Sequence, residues 1–312
     1  MSDVTFNDVE NAYKRLSVYL RPTPLLTHEE YPSYFFKAEN LQPMHAFKIR
    51  GALNTLLAYK ESHGNYPSEA VAFSSGNHAL AVAYAAKMLK LKATIFIASF
   101  ASQKKMEGCR ALGADLHLFP ERNEVEERCL QYIEQHSRSR EILFIPPYDH
   151  KEVIAGQGTA AYEALLELKK SNALPPSAVI APCGGGGLLS GTLLATKALY
   201  PEAKVIGVEP EVANDAIRSL QSGKIFRFET TPKTVADGAR TLYVSERTFF
   251  YLKQLDHLFA ASEEEIIDAM ERLTKHLQMP IEPTSAMVLV AAQRLRASPA
   301  GPILMILSGG NI

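Results

Sequence analysis

AVIAPCGGGGLLSGTLLATKALY, residues 178–200, joins an apolar run to a helix-patterned run through the consecutive glycines Gly184, Gly185, Gly186 and Gly187. The first part reads as a buried β-strand and the last as an α-helix, so the glycines form a strand-to-helix turn. Glycine lets such a turn take positive φ and leaves no side chain between the backbone amides and a ligand. Those N–H groups, with the positive end of the following helix, make a cradle for a phosphate dianion. The competing reading is a tight turn alone, which rarely needs four glycines. The spacing matches neither G-x-G-x-x-G nor G-x-x-x-x-G-K-[ST], which disfavours a dinucleotide or a nucleoside triphosphate and leaves a small phosphorylated cofactor.

The same alternation extends outward. Strand-like runs at 32–39, 70–75, 92–98, 114–120, 204–210 and 302–308 are separated by helix-patterned stretches at 51–62, 77–90, 102–113, 124–137, 213–223, 263–277 and 285–297. Short strands separated by helices of this length predict parallel βαβ units, hence an α/β fold. Runs that are apolar throughout, such as AVIAPC and PILMILS, predict sheets covered by helices on both faces. The Pro-rich link LFIPPYDH, residues 143–150, is the best candidate for a crossing between two lobes. The acidic run Glu263 to Glu265 reads as a helix N-terminus favoured by its dipole.

Composition sets outer bounds. The 312 residues are 46% hydrophobic and 21% charged, ordinary for a globular chain. Lys plus Arg, 33, nearly balances Asp plus Glu, 34, so no overall field attracts a nucleic acid. No apolar run is long enough to predict a membrane span, and the polar N-terminus does not read as a targeting segment. Three widely spaced cysteines fit neither a disulfide framework nor a zinc site and suit a reducing cytoplasm.

Further segments carry chemistry. Lys48 lies in PMHAFKIRGA between a strand and a helix beginning near Gly51, where strand-to-helix loops present reactive groups. Apolar neighbours lower a lysine's pKa and favour Schiff-base formation, although an isolated lysine is more often a solvated surface residue. Ser74, Ser75, Gly76, Asn77 and His78 follow a strand and open a helix, a polar nest suited to a carboxylate or simply a helix cap. Ser308, in SGGN after the last strand, reads as a hydrogen-bond donor to a ring nitrogen or as part of a turn.

Taken together, AFKIRGA, SSGNHALAVAYAAK, VIAGQGT, CGGGGLLSG, TVADGAR, IEPTSA and LSGGN occur in the order found in the threonine dehydratase and serine racemase family, which the chain resembles from Arg21 onward. That resemblance implies a fold type II architecture with two open, mostly parallel sheets and pyridoxal 5'-phosphate in the cleft between them. It implies a large cofactor-binding domain, residues 1–60 with 148–312, a small mobile domain, 61–147, and a homodimer. Lys48 would hold the cofactor as a Schiff base and later carry the Cα proton. Phe47 would lie along the pyridine ring, Asn77 would bond the ring hydroxyl, Gly184 to Gly187 the phosphate, and Ser308 the ring nitrogen. Ser74, Ser75, Gly76 and His78 would cradle the substrate carboxylate, and Asp237 would lie near the cleft. The stretch VEPEVAND resembles the family's cation loop, with Glu209, the Ala213 carbonyl and Asp215 holding Mg²⁺ or Ca²⁺.

The resemblance implies an ammonia-lyase that converts L-threonine or L-serine to a 2-oxo acid and ammonia. Met44-His45 resembles biosynthetic threonine dehydratases, whereas Ala46 departs from the serine usual before Phe-Lys. The alternative is serine racemase or threo-3-hydroxyaspartate dehydratase, with Lys48 and Ser75 as two acid/bases. Ser75 and the cation loop favour it, and Ala79-Leu80 counts against it. The chain stops after SGGNI, so feedback control by isoleucine is not expected. A non-catalytic cofactor-binding protein would not require intact Lys48, Ser75 and Ser308.

Overall fold

The structure is a computed structural model that describes residues 4–74, 76–99, 101–120, 122–295 and 301–312. The chain begins with α1 (Phe6–Leu16), β1 (Leu25–His28), β2 (Tyr31–Ala38) and α2 (Lys48–His63). A regular series follows: β3 (Glu69–Phe73), α3 (Asn77–Met88), β4 (Lys92–Ala98), α4 (Gln103–Ala111), β5 (Asp115–Phe119), α5 (Arg122–His136) and β6 (Ile142–Phe144). Then come α6 (Lys151–Lys170), β7 (Ala178–Pro182), α7 (Gly187–Leu199), β8 (Lys204–Pro210) and α8 (Asp215–Ser222). The chain closes with α9 (Glu246–Leu252), β9 (His257–Ala261), α10 (Glu263–Leu277), α11 (Pro283–Arg294) and β10 (Ile303–Leu307).

Ten strands form two sheets among the described residues. One has the order β1-β2-β10-β7-β8-β9 and is parallel except for the β1–β2 pair. The other, β5-β4-β3-β6, is parallel throughout. The predicted α/β class and the two parallel sheets are thus both present. Every residue of β7 and β10 is buried, as their unbroken apolar character requires when helices cover both faces. At the edge of its sheet, β5 has no fully buried residue and carries polar side chains.

The structure adds elements that sequence periodicity did not predict: β1, α6, α9 and β9. Of these α6 matters most, for its 20 residues pack against both α2 and α7. It carries glycines where helix axes come close, and a methyl group on Gly158 would lie 2.8 Å from the Gly191 carbonyl oxygen of α7. The predicted Pro-rich crossing is partly strand, because β6 pairs with β3 before residues 145–150 lead into α6. Helix α2 starts at Lys48, earlier than the expected start near Gly51, which places the lysine in the first turn. No helix among the described residues is long and apolar enough to cross a membrane.

Candidate active site

A cavity of about 520 Å³ opens between the two sheets. Its wall contains Phe47 and Lys48 from the start of α2, Ser74 to His78 (Ser75 apart) from the start of α3, Gly184 to Gly187 and Ser308. Segments far apart in sequence therefore converge because each follows the carboxyl end of a parallel strand, where open α/β sheets bind ligands. Ser75 lies outside the described residues.

Lys48 has no carboxylate partner among the described residues. Its Nζ donates to the Pro147 carbonyl at 2.8 Å and lies 5.1 Å from the centre of the Phe47 ring. Burial pushes its pKa down to about 8. The Phe47 amide donates to the Ser308 carbonyl at 3.0 Å, and Ala46 bridges to Gly309, so the loop before the lysine is stitched to the end of β10.

Across the cavity, Gly186 caps α7 with φ of +85°, a conformation other residues adopt at a cost. A methyl group on Gly185 would lie 2.2 Å from a Tyr148 ring carbon, so the bare backbone there is also a packing requirement. The loop leaves the first amides of α7 free of intrahelical partners. An uncompensated lysine amine facing a glycine-bordered helix N-terminus fits an aldehyde that carries a phosphate.

At the start of α3, Ser74 Oγ accepts from the Gly76 amide at 3.1 Å. The His78 Nε2 lies 2.8 Å from the Ile145 carbonyl, and no partner for Nδ1 occurs among the described residues. Burial, with the charge of Lys48, pushes the His78 pKa down to about 3, so the ring is neutral at physiological pH. With Nε2 as donor, Nδ1 is an acceptor, and a carboxylate here would meet the backbone amide of His78 instead of its ring.

Asn77 Nδ2 donates to both oxygens of Glu282, at 2.7 and 3.0 Å, and its Oδ1 accepts from Asn311 at 3.1 Å. Glu282 follows the buried Ile281 in IEPTSA and also accepts from the Asn311 amide at 2.9 Å. Burial pushes its pKa up to about 7, assisted by the charge of Asp237 and opposed by the Asn77 hydrogen bond. A carboxyl whose folded pKa is raised binds more protons folded than unfolded, so its stabilising contribution is full below the ordinary value and fades as pH rises towards 7. Glu282→Gln is expected to remove about 2–3 kcal/mol of this pH-dependent loss in the cofactor-free protein. Urea titrations at pH 5 and pH 7.5 check it.

Ser308 is 2% exposed, with its Oγ 3.5 Å from Ser285 Oγ. Asp237 lines the cavity as expected. Glu282 and Tyr148 were missed as cavity-wall residues. IEPTSA flagged only the neighbourhood of Glu282, and Tyr148 had no signal beyond its place in the Pro-rich link. Glu209, Ala213 and Asp215 are buried together outside this wall, around the start of α8.

The sequence matches the family model described as "Pyridoxal-phosphate dependent enzyme" over residues 16–309. It is 38% identical to L-threo-3-hydroxyaspartate ammonia-lyase of Saccharomyces cerevisiae, an alignment covering 99% of this chain and 93% of that one. It is 37% identical to serine racemase of Schizosaccharomyces pombe, covering 99% and 94%. The crystal structure of the T.th. threonine deaminase superposes with a TM-score of 0.91 at 39% identity, covering 99% of this chain and 98% of that one. The chain belongs to the pyridoxal-phosphate-dependent enzymes, in the fold type II group of ammonia-lyases and racemases.

Proposed function

We propose that the chain is an ammonia-lyase removing water from a small L-β-hydroxy amino acid, serine or threonine, to leave a 2-oxo acid and ammonia. The observation that carries this reading is the Lys48 amine, buried, lowered to about 8 and facing the glycine loop beside the neutral Ser308. Pyridoxal phosphate, when bound, supplies the electron sink that lets an amino acid's Cα–H bond break. Gly184 to Gly187 would hold its phosphate, Phe47 would flank its ring, and Asn77 would meet the ring hydroxyl.

Lys48 would hold the cofactor, and its free Nζ would take the Cα proton of the substrate. With a pKa of about 8, roughly a tenth of the free amine is unprotonated at pH 7. Ser74, Gly76 and the first amides of α3, with His78, hold the substrate carboxylate. Ser308 would offer the ring nitrogen a neutral hydroxyl and no carboxylate, an environment suited to elimination of a β-substituent. Residues 1–60 with 148–312 act as the cofactor-holding body and 61–147 as the smaller, mobile one.

A second reading is supported by the relatives named for hydroxyaspartate and for serine racemisation: Ser75 acts as an acid/base opposite Lys48. A panel of L-serine, L-threonine, D-serine and L-threo-3-hydroxyaspartate, assayed for keto acid and for change of enantiomer, separates the two. Finding neither keto acid nor a change of enantiomer with any of the four would overturn both readings. Ser75→Ala is expected to abolish D-serine formation while sparing much of the elimination, and racemisation that survives unchanged contradicts the two-base scheme.

The cation loop fits a hard divalent ion. Glu209 accepts from the Ile217 and Ala216 amides, and Asp215 Oδ2 is buried with no partner among the described residues. Burial raises both acids, Glu209 well above its ordinary range and Asp215 to about 7, so the pair lacks compensating charge. Glu209, Asp215 and the Ala213 carbonyl would hold Mg²⁺ or Ca²⁺. Chelation is expected to lower the holoenzyme's Tm by about 5 °C, an effect absent from Asp215→Asn. A scanning calorimeter with and without EDTA measures it.

A further inference from the structure

Lys105, in α4, is a charged residue that the proposed reaction leaves without a task. It is only 7% exposed, and its Nζ lies 2.7 Å from Asp237 Oδ2. The pair spans the cleft, since α4 packs beside the four-stranded sheet whereas Asp237 sits in the loop between β8 and β9 of the other sheet. On the near side, a methyl group built on Gly76 would be 4.0 Å from the Lys105 Nζ. The ammonium therefore lies over the bare face of the α3 N-terminus. A lysine ammonium has three N–H donors, so one directed at Asp237 leaves others for an anion at Gly76.

We propose that Lys105 is a ligand of the substrate carboxylate, and that Asp237 holds its ammonium in place when no carboxylate is bound. This rests on the reading of Ser74 to His78 as the carboxylate nest. Two positive contributions then meet at one point: the free amides of the helix N-terminus and a cation largely shielded from water. Asp237 has two opposing consequences. It compensates a charge that would otherwise be costly to bury, and it competes with the incoming carboxylate for that same charge.

The competing structural role, a clasp between the two sheets, gives a different pattern. Breaking a clasp from either side weakens binding in both variants. In a ligand–competitor pair the two variants move in opposite directions, and an increase in affinity cannot arise from misfolding. The experiment is calorimetric titration of the cofactor-loaded protein with propionate, with propionamide as the uncharged control. Lys105→Met is expected to weaken propionate binding about tenfold, and Asp237→Asn to strengthen it about threefold. Propionate affinity unchanged in Lys105→Met, or weakened in both variants together, overturns the assignment. Wild-type protein that does not distinguish propionate from propionamide overturns the carboxylate nest itself, a failure distinct from that of Lys105.

Discussion

Lys48→Ala is expected to lower kcat/KM for keto acid release by at least about a thousandfold while leaving the fold intact. The loss is chemical in origin. Among the described residues Lys48 makes one hydrogen bond, to a carbonyl, and no ion pair, and it lines the cavity. Alanine is as good a helix former as lysine in the first turn of α2, so unfolding free energy is expected to change by no more than about 1 kcal/mol. Lys48→Arg should be as inactive as the alanine variant, since a guanidinium keeps its proton and cannot act as the base. Activity is measured by keto acid release and folding by the thermal midpoint. Substantial turnover in Lys48→Arg would contradict the role assigned to the amine.

The second large effect lies two residues along the same helix. Arg50 is 1% exposed and meets Glu39 through two nitrogens, at 2.6 and 2.7 Å, and Glu163 at 3.1 Å. Lys37 also bonds Glu163 and donates to the Thr23 carbonyl at 2.6 Å, which completes a buried group of two cations and two carboxylates. Burial alone would raise the Glu39 pKa, but the Arg50 guanidinium outweighs it and holds the carboxyl below its ordinary range. A carboxyl depressed in this way stabilises the fold above its ordinary pKa, and that stability is lost as pH falls through the depressed value. Arg50→Met leaves Glu39 charged and underpaired in a dry site, which costs about 3–5 kcal/mol. The double variant Arg50→Met with Glu39→Gln is expected to recover part of that loss, because both charges leave together. Denaturation midpoints of the two single variants and the double variant test this, and additive losses would contradict it.

Much of this architecture was legible in the sequence because its strands are apolar throughout and its helices have enough length to alternate with them. The glycine loop and Lys48 were legible for the same reason, each standing where a strand-to-helix turn was predicted. Helix α6 was not. Its Gly156 and Gly158 dilute the helix pattern, whereas in the fold they admit neighbouring backbone: a methyl group on Gly156 would meet the Arg50 carbonyl oxygen at 2.6 Å. Glycine chosen for interhelical contact looks, in one dimension, like glycine chosen for a turn.

The charged partners were hidden for another reason. Arg50 and Glu163, like Lys105 and Asp237, are separated by more than a hundred residues, and nothing local distinguishes them from solvated surface charges. The place of Asn77 at the start of a helix after a strand was legible, but its hydrogen bonds to Glu282 and Asn311 depend on how the two sheets meet. Periodicity reports burial along one element and carries no information about which buried charges face each other.

We propose that one amine, at the first turn of α2, captures an aldehyde whose phosphate would rest on the glycine loop. Borohydride reduction of the cofactor-loaded protein, followed by digestion and mass mapping of peptides, tests this. The expected result is a single reduced pyridoxyl adduct on the peptide containing Lys48. An adduct on another lysine, or none, would contradict it.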